Sequence, residues 1–266
     1  MTPIALTIAG SDSGGGAGIQ ADLKTFSALG VYGASVLTAV TAQNTMTVTR
    51  VEAVTPAMIA AQIAAVFDDF SVGAVKLGML GDADAIVTVA DGLAGKDVPV
   101  VLDPVMVAKS GAVLLPGTAI EAMLRRLLPA ATIITPNLPE AARLLNRPEA
   151  VDAVEMASQG RALLDMGARA VLMKGGHGRG EVVTDLLVTP GRTIVFEAPR
   201  QNTRNTHGTG CSLAAAIAAG LAQGLVLPDA IARAHGWLQD AIRAGARLSL
   251  GRGQGPVHHF HRFWPA

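Results

Sequence analysis

The sequence predicts an α/β fold in which a mostly parallel central sheet is covered by helices on both faces. Short segments rich in Val, Ile and Leu alternate with longer alanine-rich segments along the 266 residues. This alternation is typical of βα units, whose parallel strands are buried on both faces. Hydrophobic residues make up 50% of the chain and charged residues 16%, a composition that allows a large buried core.

The predicted strands are short apolar runs, and most of them end at a polar or glycine-rich cluster. In chain order they cover residues 4–9, 35–41, 72–77, 98–103, 131–135, 170–175, 182–188 and 193–197. The last two runs follow each other without a helix between them. We therefore expect them to form an antiparallel hairpin at one edge of the sheet.

The predicted helices are the alanine-rich amphipathic segments between these strands, and several begin at a proline or a capping residue. In chain order they cover residues 17–29, 56–69, 82–94, 117–128, 138–146, 152–166, 209–223 and 227–247. No Ser/Pro-rich linker, charge block or internal repeat divides the chain. The sequence therefore predicts one domain over residues 1–266.

The charge balance favours small-molecule partners. The chain has 21 basic and 21 acidic residues, so its formal net charge is zero and it has no long-range field to attract nucleic acid or an anionic membrane. The longest apolar stretch, 213–227, is interrupted and too short to cross a bilayer. A single cysteine excludes an intrachain disulfide, and residues 1–6 lack the pattern of a signal peptide, so we predict a cytoplasmic protein.

The motif Asn-Thr-His-Gly-Thr-Gly-Cys at residues 205–211 is the most informative segment of the chain. Its glycines allow a tight turn, and the residues that follow have the composition of a helix, so free N–H groups would form an anion hole. We expect a lowered thiol pKa for Cys211, which would then serve as a base or nucleophile. The alternative is that the glycines only start a helix and that Cys211 is a small buried apolar residue.

Polar residues follow several predicted strands, and they should meet at the edge of the sheet where ligands of open parallel sheets bind. Asp103 and Glu140 are candidate Mg²⁺ ligands, because Mg²⁺ on nucleotide phosphates takes one or two carboxylates. Alone, Glu140 is better explained as a capping residue of the helix that begins after Asn137. Lys174, which two glycines follow, is a candidate phosphate contact, and the alternative is a surface lysine at a turn.

Two common nucleotide-binding motifs are missing from the sequence. The glycine-rich segment 10–18 does not satisfy GxGxxG, because Ile19 stands where the third glycine should be. The Gly-Lys pair at 95–96 is followed by Asp97 rather than Ser or Thr, which excludes a Walker A motif. A nucleotide would therefore be bound by another architecture.

A series of short polar motifs runs along nearly the whole chain, at residues 9–22, 41–44, 76–79, 103–106, 135–140, 174–177, 206–211 and 253–260. In this order they resemble the motifs of the bacterial hydroxymethylpyrimidine/phosphomethylpyrimidine kinases of thiamine biosynthesis, which belong to the ribokinase superfamily. The resemblance implies a ribokinase-like three-layer α/β/α sandwich without a separate lid domain. It also implies two successive phosphorylations with ATP and Mg²⁺, first of the pyrimidine's hydroxymethyl group and then of the monophosphate. Relatives are commonly dimers, which implies a homodimer.

The resemblance also implies roles for individual residues. Gln43 would pair with the pyrimidine ring, since an amide offers both a donor and an acceptor. The rest of the substrate pocket would be formed by Gly10, Asp22, Met79 and Val105. The nucleotide would contact Asn137, Lys174, Thr206, Gly208 and Gly210. Cys211 would accept the hydroxyl proton, while the N–H groups of Gly208, Thr209 and Gly210 hold the transferring phosphoryl group together with Lys174 and Mg²⁺.

Two other functions stay open at this stage. Cys211 replaces the aspartate that many ribokinase relatives use as the base, as it does in some pyridoxal kinases, so pyridoxine or pyridoxal is a second candidate substrate. A third hypothesis is a non-catalytic protein that binds a vitamin precursor. Segment 106–116 lacks periodicity and carries a glycine, which predicts a flap over the pocket; the alternative is an ordinary strand-to-helix loop.

Overall fold

The computed structural model describes residues 1–106 and 117–264, and the flap hypothesis for 106–116 falls almost entirely outside them. The strands of the described residues form one sheet. They are β1 (Ile4–Asp12), β2 (Tyr32–Gln43), β3 (Val48–Ala53), β4 (Ala74–Leu77), β5 (Val100–Leu102), β6 (Ile133–Ile134), β7 (Val171–Met173), β8 (Val182–Val188) and β9 (Thr193–Pro199). The helices are α1 (Gly18–Ala28), α2 (Pro56–Asp69), α3 (Ala83–Leu93), α4 (Gly117–Arg126), α5 (Leu138–Leu145), α6 (Ala153–Asp165), α7 (Thr209–Ala222) and α8 (Leu227–Gly245).

The sheet has the order β3-β2-β1-β4-β5-β6-β7-β8-β9. The pairs from β2 through β1 and β4 to β7 are parallel, whereas β3 pairs antiparallel with β2, and β8 pairs antiparallel with both β7 and β9. The expected mostly parallel sheet is confirmed. The hairpin of β8 and β9 lies at one edge, as the sequence predicts.

Two hydrophobic cores lie on opposite faces of this sheet. Neighbouring strand residues alternate between them, so that in β5 Val100 and Leu102 face one core and Val101 faces the other. The first core packs against α2 to α6, and the second against α1, α7 and α8. The result is a three-layer α/β/α sandwich, which confirms the predicted fold class.

Strand β3 is the element that the sequence analysis misses. It pairs with β2 and forms a second hairpin at the other edge of the sheet. Residues 49–53 are exposed, so no buried face produces the apolar pattern by which the other strands are recognised. Within the described residues, none of the helices has the length and apolar character needed to cross a bilayer.

Candidate active site

A cleft of about 910 Å³ opens at the carboxyl ends of the parallel strands and at the start of α7. This volume lies at the upper end of the range for small-molecule sites. The cleft brings together nearly all of the residues that the sequence analysis selects: Gly10, Gln43, Met79, Asp103, Val105, Asn137, Glu140, Lys174, Thr206, Gly208, Thr209, Gly210 and Cys211. The expectation that these polar clusters meet at one edge of the sheet is confirmed.

Asp22 departs from its expected place in the pocket wall. Its side chain is fully buried on α1, where its Oδ2 accepts hydrogen bonds from Lys76 Nζ at 2.8 Å and Thr7 Oγ1 at 2.6 Å. Lys76, by contrast, contributes to the wall of the cleft. Asp22 therefore lies behind the wall, where it positions Lys76.

The start of α7 is fixed by contact between two glycine-rich segments. Gly208 has φ +78°, a left-handed conformation that favours glycine, and a side chain there would overlap the carbonyl oxygen of Gly16. The N-cap residue Gly208 has no side chain with which to cap this helix. The first N–H groups of a helix have no intrahelical acceptor, so those of the first turn, which include Gly210 and Cys211, are available to an anion in the cleft.

The expected lowering of the Cys211 pKa is wrong. Burial raises the pKa of the thiol to about 11, although the charge of Lys76 opposes the effect. The carboxylates of Asp22 and Asp103 raise it further. Removal of the thiolate from water outweighs the helix N-terminus here, so Cys211 is a neutral thiol at pH 7 in the unliganded protein.

Lys174 is an interior lysine rather than a surface residue at a turn. Its Nζ donates to Asp103 Oδ1 at 2.7 Å and lies 3.9 Å from Glu140 Oε2. Thr135 Oγ1 donates to the same Asp103 oxygen at 3.0 Å. The other oxygen, Asp103 Oδ2, faces Gly210 at the start of α7.

Glu140 performs the capping role that the sequence also allows. Its Oε2 accepts from the Asn137 backbone N–H at 2.8 Å, and Asn137 Oδ1 accepts from the Glu140 N–H at 2.9 Å, which completes a capping box for α5. Burial raises the pKa of Glu140 to about 7, against the opposing charge of Lys174. Capping and a place in the cleft are therefore compatible.

Asp12 and His207 are site residues that the sequence does not identify. The Asp12 carboxylate accepts from the backbone N–H groups of Gly14, Gly16 and Ala17 at 2.8–3.0 Å. It also lies 2.8 Å from His207 Nε2, although 195 residues separate the two. The glycine-rich segment thus surrounds one of the protein's own carboxylates. No local pattern could identify this contact, because it depends on the meeting of distant segments.

Gln43 lies at the β2 end of the cleft, opposite an apolar end. Its Nε2 is 3.3 Å from His207 Nε2, and its Oε1 is 3.4 Å from Thr41 Oγ1. The apolar end is formed by side chains of β8, β9, α7 and α8: Val183, Pro199, Leu213, Leu238 and Ile242. The wall between these two ends contains the start of α7 and the Lys174 cluster, which consists of Lys174, Asp103 and Glu140.

This arrangement defines a small-molecule phosphotransferase of the ribokinase-like class: a helix N-terminus, a buried lysine and two carboxylates lie between two binding regions in one α/β/α cleft. The phosphomethylpyrimidine kinase family matches residues 12–258. The chain belongs to this family.

Comparison with known sequences supports the assignment. The chain is 56% identical over 264 residues to a hydroxymethylpyrimidine/phosphomethylpyrimidine kinase of Rhizobium meliloti, with 99% of each chain covered. It is 51% identical over 255 residues to the thiamine biosynthesis bifunctional protein ThiED of Geobacter sulfurreducens, covering 96% of this chain and 51% of that protein.

Solved structures share the fold. An ADP complex of Bacillus subtilis pyridoxal kinase matches with a TM-score of 0.91 and 37% identity, covering 98% of this chain and 99% of that one. A phosphomethylpyrimidine kinase of Clostridium difficile matches with a TM-score of 0.80 and 42% identity, covering 90% and 99%. This chain thus shares its fold with a pyridoxal kinase as well as with a phosphomethylpyrimidine kinase, so the fold alone does not determine the substrate.

Proposed function

We propose that this cleft phosphorylates 4-amino-5-hydroxymethyl-2-methylpyrimidine with ATP, and then phosphorylates the monophosphate, in thiamine biosynthesis. The observation that carries the proposal is the position of the Lys174 cluster and the α7 N-terminus between the Gln43 end and the apolar end of one cleft. Two ligands bound at these ends would meet at the groups that stabilise a transferring phosphoryl group. The family assignment agrees with this reaction.

We assign the pyrimidine to the Gln43 end and the nucleotide to the other. Gly10, Met79 and Val105 stand with Gln43 in the wall, and Gln43 supplies the hydrogen-bonding groups that an aminopyrimidine edge requires. Val183, Leu238 and Ile242 offer an apolar surface for a nucleotide base. Asn137, Thr206 and the N–H groups of residues 208–210 would then contact the phosphates.

Asp103 and Glu140 fit the requirements of a Mg²⁺ site. Asp103 Oδ2 faces the anion-binding start of α7, and Glu140 shares Lys174 with Asp103. Two carboxylates suffice for Mg²⁺ on a nucleotide, because the ion completes its shell with phosphates and water. Bound there, Mg²⁺ would neutralise charge on the transferring phosphoryl group.

Cys211 would accept the proton of the substrate hydroxyl. Because its thiol is neutral at pH 7, it must first lose its own proton to solvent, which the nearby charge of Lys76 favours, and the thiolate then accepts the hydroxyl proton. Phosphoryl transfer depends mainly on positioning and charge stabilisation, so a small population of thiolate suffices. We expect Cys211→Ser to bind the pyrimidine normally and to lose most of its turnover.

Product analysis tests the function directly. After incubation with the pyrimidine, ATP and Mg²⁺, chromatography separates unreacted substrate, the monophosphate and the diphosphate. Pyridoxal is tested in parallel, because the Bacillus subtilis relative is a pyridoxal kinase. Appearance of the diphosphate supports the proposal; phosphorylation of pyridoxal alone favours the second candidate, and binding without any product favours a non-catalytic protein. The homodimer and the cytoplasmic location stay predictions, and sedimentation at micromolar concentration tests the first.

A further inference from the structure

Gln43 stands between two cavities. Besides the main cleft, a smaller cavity of about 220 Å³ lies behind it, lined by residues 44–48, Gly253 and Gln254. Gln43 and His207 line both spaces. Because Gln43 borders both cavities, packing alone does not fix its amide. Hydrogen bonds must therefore orient the amide towards a ligand in the main cleft.

His207 is held firmly at this partition. Its backbone N–H donates to the Gly255 carbonyl at 3.0 Å, and its ring lies so close to Gly16 that a side chain there would overlap it. Its Nε2 contacts Asp12 Oδ2 at 2.8 Å. Burial alone would raise the pKa of Asp12, but the hydrogen bond and charge of His207 and the N–H groups of Ala17 and Gly14 lower it below its ordinary value.

The charge state of Asp12 determines which nitrogen of His207 carries hydrogen. An ionised carboxylate only accepts hydrogen bonds, so Nε2 of His207 must be the donor. Gln43 Nε2, which is also a donor, lies 3.3 Å from the same nitrogen. Two donors cannot form a hydrogen bond with each other.

Exchange of the amide O and N of Gln43 resolves this conflict. The two atoms occupy nearly the same volume and are distinguished by their hydrogen-bond network. With Oε1 towards His207, it shares the single Nε2–H with Asp12 Oδ2 in a three-centre hydrogen bond. The amide N–H then donates to Thr41 Oγ1 over the 3.4 Å contact, and Thr41 can accept because its own hydrogen goes to the Ser11 carbonyl at 2.8 Å.

We propose that His207, held by Asp12, is a positioning residue that fixes the order in which Gln43 presents its acceptor and its donor to the substrate ring. The free lone pair of Oε1 then lies on the His207 side and the free N–H on the Thr41 side. The matching ligand edge carries an amino group beside a ring nitrogen, and a ring without this pair is disfavoured. The inference rests on the proposed binding of the pyrimidine at Gln43.

The test compares the aminopyrimidine with its analogue that lacks the 4-amino group, using calorimetry without ATP so that catalysis is not required. The measured quantity is the ratio of the two dissociation constants. We expect His207→Phe, which keeps a ring but removes the donor, to reduce this preference by roughly tenfold. If His207→Phe also disturbs the nearby anion hole, the dissociation constants of both ligands change alike, so this effect cancels in their ratio.

Two further variants complete a double-mutant cycle and a control. Gln43→Ala should abolish the preference, and His207→Phe added to it should change nothing more. His259→Phe is the matched control, because this histidine is also buried and contacts α7 through Ser212 Oγ at 2.9 Å but does not line the cleft of the described residues. It should leave the ratio unchanged.

The outcomes separate the inference from the proposed function. A normal ratio in His207→Phe together with a lost preference in Gln43→Ala overturns the inference and leaves the binding site standing. A normal affinity and ratio in Gln43→Ala overturns both. If His207→Phe does not fold, nitrogen-15 NMR of the wild-type histidine rings decides: a hydrogen on His207 Nε2 supports the inference, and an unprotonated Nε2 overturns it.

Discussion

Cys211 is the chain's only cysteine, so its ionisation can be measured without interference from other thiols. Burial raises its pKa to about 11. Since only the thiolate reacts with iodoacetamide, we expect alkylation of the unliganded protein to be slow at pH 7 and to rise through about pH 10 without a plateau. Mass spectrometry of the labelled protein gives the rate at each pH.

The Cys211→Ser variant serves as the control for this measurement and should incorporate no label. A plateau reached by about pH 8 would show an activated thiolate of the kind the helix N-terminus alone predicts. The structure and the sequence thus give opposite expectations, and one titration distinguishes them.

Lys76 and Asp22 form a buried ion pair, and removal of only one of the two charges should lower the stability of the protein. Both side chains are fully buried, and Oδ1 of Asp22 has no hydrogen-bond partner among the described residues. Removal of one partner leaves a buried charge, so we expect Lys76→Met to lower the free energy of unfolding by about 3–5 kcal/mol. Urea denaturation at pH 7 measures it.

The double variant Asp22→Asn/Lys76→Met is the matched control, because it removes both charges. It should recover a large part of the loss. A single Lys76→Met variant as stable as the wild type would mean that Asp22 takes up a proton at little cost.

The raised pKa of Glu140 predicts that the affinity of the protein for Mg²⁺ and nucleotide depends on pH. Burial raises its pKa to about 7, so below that pH it is protonated and cannot serve as a metal ligand. Affinity for a non-hydrolysable ATP analogue with Mg²⁺ should therefore rise with pH up to about 8 and then level off. Calorimetry from about pH 5.5 to about pH 8.5 measures it.

The nucleotide itself also titrates in this range, and Glu140→Gln corrects for that effect. The variant should bind more weakly, and its affinity should show only the pH dependence of the ligand. An identical pH dependence in both proteins would remove Glu140 from the metal site and leave it as a capping residue.

At the scale of elements, the two glycines that flank α7 can be substituted in parallel to compare the start of the helix with its end. Gly208 before it and Gly224 after it both have positive φ, but a side chain at Gly208 would overlap the Gly16 carbonyl, whereas no described residue lies close enough to Gly224 to contact one. We expect Gly224→Ala to cost about 1–2 kcal/mol from backbone strain alone. Gly208→Ala should cost more and should also reduce turnover, since it displaces the anion-binding N–H groups.

If the two variants lose the same amount of stability and Gly208→Ala keeps normal turnover, the loop before α7 relaxes without moving the helix. Thermal unfolding and steady-state kinetics give the two readouts.

The sequence predicts elements with one buried face well and exposed elements poorly. The helices lie within two residues of their predicted bounds, because each has an apolar side and many begin at a cap such as Thr55 or Asp82. Strand β3 has no buried side, so the sequence does not predict it. Within the site, the sequence indicates the motif residues because glycines and polar residues end the strands. It does not indicate Asp12 and His207, because their contact joins distant parts of the chain.

At the scale of the whole molecule, the two cores share one sheet, so neither can be lost alone. Strands β1, β4, β5, β6, β7 and β8 contribute side chains to both. We therefore expect residues 1–266 to unfold as a single domain. Far-ultraviolet circular dichroism and the fluorescence of Trp237, which is buried against α7, should report the same urea midpoint.

Two separated transitions would contradict the single domain. Because Trp264 is exposed and contributes to the signal, the comparison is made in a Trp264→Phe variant. Addition of a ligand that binds the cleft should shift both midpoints together.

The contact between Gly16 and Gly208 also has a consequence for protein synthesis. Asp12 emerges from the ribosome almost two hundred residues before His207, and the His207 backbone is in turn held by Gly255 near the other end of the chain. The nascent chain can form β1 and α1 early, but the cleft cannot close until residue 255 has left the ribosome. A truncated product released by the ribosome would therefore carry much of the sheet and none of the activity.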